Sequence, residues 1–382
     1  MYFLDPSLAQ QIVERTMKII VHNINVMNAQ GVILGSGEGH RIGSTHEGAL
    51  LAISQNRTVE INAASADTLH GVKAGINLPL HHQGEIIGVI GITGDPKRLN
   101  SYGELLKMTA ELIVEQANSL ELAQWQYRQK EEFILQLIKS TEELTPHLID
   151  WASQLGIDIY APRVAAIIQV QGDKEQISAN SILKKVLNLL ESPSRGNLVA
   201  MTSMTELVIL KPAFLNGKQW DPQLESQRID QLLSRLPLEM NARLKISLGH
   251  FFVKPADISR SYQTAKETLA LGMQLSPDQN KYLYDDYSLR VLLSTLKDDW
   301  RGEELVTPFQ TLIDADKKGQ LNKTLTAYLT HFGDQQKCAN ALFIHRNTLR
   351  YRLDKIQQIT GVDIQQLDGL LQLYLGQVLT SQ

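Results

Sequence analysis

One stretch near the end of the chain, residues 334–358, has the start and stop signals of two short helices joined by a tight turn. Gly333 can end the preceding helix in a left-handed conformation, and the Asp334 carboxylate can cap the next helix. That helix is predicted to end near Leu342, and a second helix is predicted to begin at His345. Because only two residues separate these helices, they must pack closely, and the C-terminal region is expected to be all-α.

The second of these helices is amphipathic and has a basic outer face. Leu349, Leu353 and Ile356 recur at the spacing of one helix face and are predicted to pack in a core. The opposite face is polar, and residues 337–358 carry five lysines or arginines against a single acidic residue, Asp354. An apolar stripe that docks the helix, with a basic face opposite, is what a helix-turn-helix needs to enter the major groove of DNA.

Six side chains of the second helix are predicted to contact DNA, since arginine, asparagine, threonine and tyrosine reach base edges and phosphates. They are Arg346, Asn347, Thr348, Arg350, Tyr351 and Arg352. Asn347, Arg350 and Tyr351 are favoured for bases, and the other three for phosphates or packing. The alternative interpretation is an ordinary two-helix packing unit with a solvated, charged face.

The turn between the two helices carries Phe343, where many helix-turn-helix units have glycine. A bulky residue in a left-handed conformation costs about 1 kcal/mol or more. The turn is therefore expected to differ in shape from the common one.

Charge supports a local contact with nucleic acid. The chain has 382 residues, which suggests two or three domains, and its apolar content of 43% and charged content of 20% are ordinary for a globular protein. The net charge is −4, yet residues 321–382 hold six basic and four acidic residues, a local balance of +2. Positive charge is therefore concentrated in the same region as the two-helix stretch.

Several features favour a cytoplasmic protein that is not inserted in a membrane. Cys338 is the only cysteine, so no disulfide can form within one chain, which fits a reducing compartment. Asp5 and Glu14 occupy the N-terminus, where a signal peptide would be basic and then apolar. No run reaches the roughly 18 apolar residues that a membrane-spanning helix requires.

The predicted fold class is an α+β multidomain chain with four parts. Residues 1–100 alternate strands and helices in the order of a PAS- or GAF-like sensor domain. Residues 101–140 form a long connector helix that also serves dimerisation, although imperfect heptads leave open that it packs only on its own domain. Residues 141–290 form a second α+β domain, and residues 315–382 form the all-α helix-turn-helix domain.

The order of elements in residues 141–290 resembles a nucleotide-cyclase domain of the GGDEF type. The hairpin that carries the catalytic Gly-Gly-Asp/Glu-Glu-Phe turn in that family reads Met-Thr-Ser-Met-Thr-Glu here, at residues 201–206. The side chains that bind metal and phosphate are missing. The domain is therefore predicted to be degenerate, a scaffold and not a cyclase.

A glycine-rich loop in the first domain holds the best candidate small-molecule site. Arg41 precedes a predicted helix start, and residues 44–47 fit a Ser-x-x-Glu capping box. A helix N-terminus and a planar guanidinium both favour a carboxylate or phosphate. Residues 71–78, which supply Lys73 and Asn77, are expected to lie opposite. The alternative is a capped helix with a glycine-rich turn and a solvent-facing arginine.

No catalytic set is present in the sequence. The glycine-rich loop at residues 35–39 lacks the Lys-Ser/Thr of a P-loop. The ten histidines show no metal-binding spacing, and no G-x-S-x-G nucleophile elbow occurs. The chain is therefore predicted to be no enzyme and to hold neither a cofactor nor a metal.

Along its whole length the chain resembles the carbohydrate diacid regulators, a family of bacterial transcription factors. The N-terminal likeness rests on residues 41–49, 75–80 and 88–94. The C-terminal likeness rests on residues 342–353, in a helix-turn-helix that the purine-catabolism regulators share. A phenylalanine at the position of Phe343 is usual in this group.

The resemblance implies an activator that responds to D-glucarate, D-galactarate or glycerate. With the connector helix as a dimerisation element, the protein is expected to bind operator DNA as a homodimer. The implied effector residues are Arg41, Gly43, Ser44, His46 and Asn77. Effector binding is expected to shift the connector helix and, through the middle domain, the helix-turn-helix. Two alternatives stay open: the same architecture sensing another anionic metabolite, as in purine catabolism, or a nucleotide-handling enzyme that uses the middle domain.

Overall fold

The computed structural model describes residues 4–70, 72–140, 144–172, 178–190, 195–214, 219–296 and 299–380. Contacts divide the chain into two compact units, Met1–Arg128 and Gln129–Gln382. Gly71, the first residue of the stretch expected to lie opposite Arg41, falls outside the described residues.

The first unit is built on a five-stranded antiparallel sheet. Its strands are β1 (Ile24–Asn28), β2 (Ile33–Ser36), β3 (Val59–Ile61), β4 (Gly75–His82) and β5 (Glu85–Thr93). They lie in the order β2-β1-β5-β4-β3, and each neighbouring pair is antiparallel. Gln83 and Gly84 join β4 to β5 with φ values of 52° and 86°, as a two-residue hairpin turn with two left-handed residues requires.

Helices flank this sheet on both faces. They are α1 (Pro6–Met17), α2 (Glu47–Gln55), the short α3 (Ala63–Ala66) and the first part of α4 (Pro96–Lys139). Asp5 begins α1 by accepting a hydrogen bond from the Leu8 N–H at 2.9 Å, and Pro6 occupies the first turn, where its missing N–H is harmless.

Two apolar cores lie on the two faces of the sheet. On one face, Ile12 of α1 and Leu106 of α4 pack with Ile76 and Leu78 of β4. On the other face, α2 packs against β1, β2 and β5. Side chains alternate along a strand, so Asn77, between Ile76 and Leu78, points to the face that α2 covers.

α4 is a single helix of 44 residues that begins before the predicted stretch 101–140. Leu106, Ala110 and Val114 belong to the core of the first unit. Phe133 and Leu137 belong to a core of the second unit. The side chains of residues 119–128 are exposed.

The second unit contains another five-stranded sheet. Its strands are β6 (Arg163–Val170), β7 (Leu198–Ser203), β8 (Glu206–Pro212), β9 (Leu244–Leu248) and β10 (Lys281–Leu283). They lie in the order β10-β9-β6-β8-β7, with only the β9–β10 pair parallel among the described strands. The hairpin predicted around residues 201–206 is confirmed as β7 and β8.

Helices cover both faces of the second sheet as well. They are α5 (Pro146–Gln154), α6 (Ala179–Leu190), α7 (Pro222–Ser234), α8 (Leu238–Asn241) and α9 (Ile258–Leu275). α6 and α7 close the larger core, with Val186 and Ile229 packed on the sheet. α9, α5 and the end of α4 pack on the opposite face.

The remaining residues form a helical bundle. Its helices are α10 (Tyr284–Ser294), α11 (Trp300–Ala315), α12 (Gln320–Thr330), α13 (Gln335–Ala341), α14 (Arg346–Thr360) and α15 (Leu367–Thr380). Phe309 and Leu312 of α11 pack in the same core as Leu349 and Leu353 of α14, so this core begins before residue 315. Within the described ranges no helix is long and apolar enough to cross a membrane.

Candidate functional sites

His46, and not Ser44, begins helix α2. Its Nδ1 accepts a hydrogen bond from the backbone N–H of Ala49 at 3.2 Å. The predicted Ser-x-x-Glu capping box is therefore wrong. The reason is strand pairing: Thr45 bridges Val32, and the Ser44 carbonyl accepts from the Ile33 N–H at 3.0 Å, so the chain stays extended until His46.

Arg41 and His46 are both buried in the first unit, and the charge of Arg41 acts on His46. Arg41 ends a short 3-10 turn, Gly39–Arg41, and is 9% exposed, while His46 is 4% exposed. Burial, followed by the charge of Arg41, lowers the pKa of His46 from 6.5 to about 4. The imidazole is neutral at pH 7, and because Nδ1 accepts from Ala49, its proton is on Nε2. A guanidinium beside an N–H donor suits a carboxylate.

A row of polar residues crosses the sheet under α2. Asn77 of β4 faces Gly91 of β5, Gly91 faces Asn25 of β1, and Asn25 faces Ser36 of β2. The Ser36 hydroxyl donates to Asn25 Oδ1 at 2.6 Å. Asn77 Oδ1 is buried and has no hydrogen-bond partner among the described residues. Residues paired across antiparallel strands share a face, so these side chains form one polar strip.

Gly48 brings the polar strip next to the start of α2. A Cβ atom at this position would lie 2.9 Å from Asn77 Nδ2 and 3.1 Å from His46 Cε1. Such distances are tighter than ordinary contacts, so only a residue without a side chain lets His46 and Asn77 approach in this way. The charge of Arg41 reaches His46, and His46 in turn adjoins Asn77.

Three of the five predicted effector residues are therefore neighbours: Arg41, His46 and Asn77. Gly43 and Ser44 are exposed on the loop that precedes α2. Lys73, which was expected opposite Arg41, is also exposed and pairs with Glu38 at 2.8 Å. That contact holds the pKa of Glu38 below its ordinary value, mainly through the hydrogen bond from Lys73.

Asn25, Ser36 and Gly91 belong to the same strip but were not predicted. The alternation of residues 22–27 signals a strand with Asn25 on one face, yet a polar residue in such a pattern is ordinarily assigned to solvent. Only the pairing of β1 with β5 and β2 shows that this face is buried beneath α2.

The predicted pair of helices near the C-terminus is confirmed as α13 and α14. Asp334 caps α13 by accepting from the N–H groups of Gln336 and Lys337, both at 3.0 Å. The expectation of an unusual turn is wrong, because Phe343 adopts the left-handed conformation with φ of 52°. Its side chain is 95% exposed.

α14 presents a basic surface to solvent. Leu349, Leu353 and Ile356 are buried as predicted. Five of the six predicted DNA-contact residues are exposed: Arg346, Asn347, Thr348, Arg350 and Tyr351. The sixth, Arg352, is half-buried and donates to Thr324 Oγ1 and Gln320 Oε1 of α12, both at 3.3 Å. Arg352 therefore positions α14 against α12.

The β7–β8 hairpin is closed by its own side chains. The Thr202 hydroxyl donates to Glu206 Oε1 at 2.5 Å, and Met204 at the tip is 80% exposed. In the described part of the chain, no group of three or more His, Cys, Asp or Glu side chains is arranged to hold a metal ion.

Comparisons with known proteins show what this chain is similar to. Three family models match: putative sugar diacid recognition over residues 4–137, a GGDEF-like domain over residues 140–271, and the PucR C-terminal helix-turn-helix domain over residues 321–377. The chain is 46% identical to the carbohydrate diacid regulator of Escherichia coli (strain K12), over 98% of this chain and 97% of that protein.

Two further relatives are more distant. An uncharacterized protein of Haemophilus influenzae is 38% identical over 98% of this chain and 99% of the length of that protein. A proline-responsive transcriptional activator of Bacillus subtilis is 23% identical over 81% of this chain and 76% of the length of that protein.

With an exposed basic recognition helix in a matched helix-turn-helix domain, the chain is a DNA-binding transcriptional regulator. The relatives whose function is named are regulators as well. The chain belongs to the family of carbohydrate diacid regulators.

Proposed function

We propose that this protein activates genes for the use of sugar acids and that its effector is D-glucarate, D-galactarate or glycerate. We place the effector in the first unit, between α2 and the sheet. The observation that carries this proposal is the buried group of Arg41, His46 and Asn77. Buried polar groups nearly always have partners, so the unpartnered Asn77 Oδ1 supports a ligand rich in hydroxyl donors.

Each neighbouring side chain has a role that fits a hydroxylated acid. Arg41 and the Nε2–H of His46 bind one carboxylate. Asn77 Oδ1 accepts from a hydroxyl group. Asn25 and Ser36 lie further along the strip, and two strand spacings, about 10 Å, separate Asn25 from Asn77. An acid with several hydroxylated carbons can follow this strip. The name of the relative with 46% identity supports the same class of ligand.

The strand order β2-β1-β5-β4-β3 supports a PAS-like interpretation of the effector domain. As a regulator of transcription, the protein acts where the bacterial DNA is, in the cytoplasm. The self-closed turn at residues 202–206, without the cyclase side chains, supports a scaffold role for the middle domain and no enzymatic activity.

Homodimerisation is supported by an apolar stripe on α4. Leu105, Met108 and Leu112 follow one another at steps of three and four residues, and each is more than half exposed. They lie on the face of α4 away from the buried Leu106 and Ala110. This spacing is that of a coiled-coil seam, so we propose that a second copy of the chain covers it.

The dimer proposal is tested by light scattering after chromatography. A Leu105→Glu/Leu112→Glu variant should become monomeric and lose operator affinity, because buried glutamates repel across the seam. Trp125→Glu changes an exposed residue on another face of the same helix and should leave the dimer intact. A dimeric double variant would refute this seam.

The effector proposal is tested by calorimetric titration and thermal denaturation of the full chain. Glucarate, galactarate, glycerate and purine metabolites are compared. At least one sugar acid should bind and raise the melting temperature. Arg41→Ala should weaken that binding at least about tenfold, since it removes a charge-assisted contact. Arg57→Ala, which removes an exposed arginine of the same unit, should bind normally.

Two results would contradict the effector proposal. One is the absence of binding by every sugar acid, and the other is unchanged binding in Arg41→Ala. Binding of purine metabolites alone would favour the alternative in which the same architecture senses an anionic metabolite of purine catabolism.

A further inference from the structure

A cavity of about 290 Å³ lies in the second unit, between the sheet and helices α6 and α7. Aliphatic side chains of three adjacent strands line it: Ala166 and Ile168 of β6, Ile209 of β8, and Ile246 and Leu248 of β9. Its volume is near the lower limit of pockets that bind small organic molecules.

The same cavity carries an excess of positive charge. Four basic side chains line it: Arg195, Lys211, Arg228 and Arg235. None of its described lining residues has a carboxylate. One acidic side chain behind the lining, Glu225, is 1% exposed and forms ion pairs with both Lys211 and Arg228. Among the described residues, this carboxylate pairs with two of the four cations, Lys211 and Arg228.

The neighbouring positive charges affect the pKa of Lys211. Burial, followed by the charges of Arg228 and Arg195, lowers the pKa of Lys211 to about 8. Lys211 follows Leu207 and Ile209 on the apolar face of β8, so its amine enters the cavity from an apolar wall. Charges in such surroundings are stabilised by partners of opposite sign.

We propose that this cavity is a second ligand site, which binds a small organic anion with an apolar body. The oxyanion head, a carboxylate or a phosphate monoester, contacts Arg195, Lys211 and Arg235. The apolar body lies on Ile168, Ile209 and Ile246. The middle domain would then receive a chemical signal of its own, in addition to the one received by the first unit.

The site is separate from the hairpin turn that carries catalysis in nucleotide cyclases. That turn precedes Glu206 at one end of β8, whereas Lys211 is near the other end. At about 3.4 Å per residue, five residues place them roughly 17 Å apart. The proposal therefore concerns neither cyclase chemistry nor the effector site between α2 and the first sheet.

Calorimetric titration of the full chain tests this site with benzoate and phenyl phosphate. Benzamide is the neutral control, and inorganic phosphate is the control without an apolar body. Benzoate or phenyl phosphate should bind at one site, and the two controls should not. Binding of benzoate alone assigns the head group as a carboxylate, and binding of phenyl phosphate alone assigns a phosphate.

Charge variants separate recognition from general electrostatics. Arg195→Gln/Arg235→Gln should weaken binding of the anion at least about tenfold, and it spares the ion pairs of Glu225. Lys184→Gln/Lys185→Gln removes the same charge from exposed positions of α6 and should bind normally. The sugar-acid affinity should be equal in both variants.

Three outcomes overturn the proposal. They are no binding of either anion at millimolar concentration, equal binding of benzamide and benzoate, and unchanged affinity in a folded Arg195→Gln/Arg235→Gln variant. Circular dichroism and thermal denaturation of each variant establish that it is folded.

Discussion

Asn77 and Gly91 face each other across β4 and β5, and a Cβ atom at Gly91 would lie 3.0 Å from the amide oxygen of Asn77. That oxygen is buried and lacks a partner among the described residues. A side chain at position 91 would occupy the space in front of this oxygen. Met27 borders this space, since its terminal methyl would lie 3.3 Å from the same Cβ.

Gly91→Ala should reduce effector affinity by about tenfold, because the new methyl group occupies the space in front of the amide oxygen of Asn77 and leaves a ligand hydroxyl without its acceptor. Titration of the full chain with the effector measures this change. Gly39→Ala is the matched control, since a Cβ there meets nothing within 4 Å. Wild-type affinity in a folded Gly91→Ala variant would remove this space from the site.

The neutral state of His46 makes the stability of the first unit depend on pH. Its pKa is about 4 in the folded chain and near 6.5 when unfolded. Between these values the unfolded chain binds the extra proton, so the free energy of unfolding falls as pH falls from 6.5 to 4. The loss amounts to at most about 3.4 kcal/mol. Denaturation measured along this pH range should show the slope, and His46→Gln should flatten it.

Arg350 and Arg352 are two positions apart on α14, but their substitution should change different properties of the protein. Arg350 is exposed, so Arg350→Ala should weaken operator binding by about 1–3 kcal/mol and leave the melting temperature unchanged. Arg352 bonds to α12, so Arg352→Ala should lower the melting temperature. DNA titrations and thermal denaturation of both variants check this. Equal operator affinity in Arg350→Ala would exclude it from the DNA contact.

Phe343→Asn should raise the free energy of unfolding by up to about 1 kcal/mol, because asparagine tolerates the left-handed conformation better. Phe332 has the same φ of 52° and is 92% exposed, so Phe332→Asn should stabilise the chain similarly. Chemical denaturation measures both. Only Phe343→Asn, next to the recognition helix, should lower operator affinity. Destabilisation by both variants would mean that these side chains pack more than their exposure indicates.

Local signals explain why the helix pair α13 and α14 was predictable. Asp334, Gly333 and His345 act on hydrogen bonds within a few residues of themselves, so the ends of α13 and α14 follow from short stretches of sequence. The apolar spacing of Leu349 and Leu353 then determines which face of α14 is exposed. Arg352 was expected to contact phosphate or to pack, and its hydrogen bonds to α12 favour packing.

The candidate effector site depends on pairings between distant residues. Asn25, Asn77 and Gly91 come from three strands, and only their register places them in one row. The start of α2 was misplaced for the same reason, since the Val32–Thr45 bridge outweighed the capping preference of Ser44. Arg41 and His46 were named as effector residues from the sequence. Their burial and the neutral state of the imidazole follow from the tertiary structure.

The single cysteine of the chain gives the DNA-binding bundle a built-in kinetic reporter. Cys338 of α13 is fully buried, and burial raises the pKa of its thiol. A thiol reagent can modify it only after α13 separates from its neighbours. The rate of modification of the unaltered chain therefore measures how often this bundle opens. No other thiol contributes to that signal. The decrease in labelling rate on adding operator DNA or effector therefore measures how strongly each of them suppresses opening of the bundle.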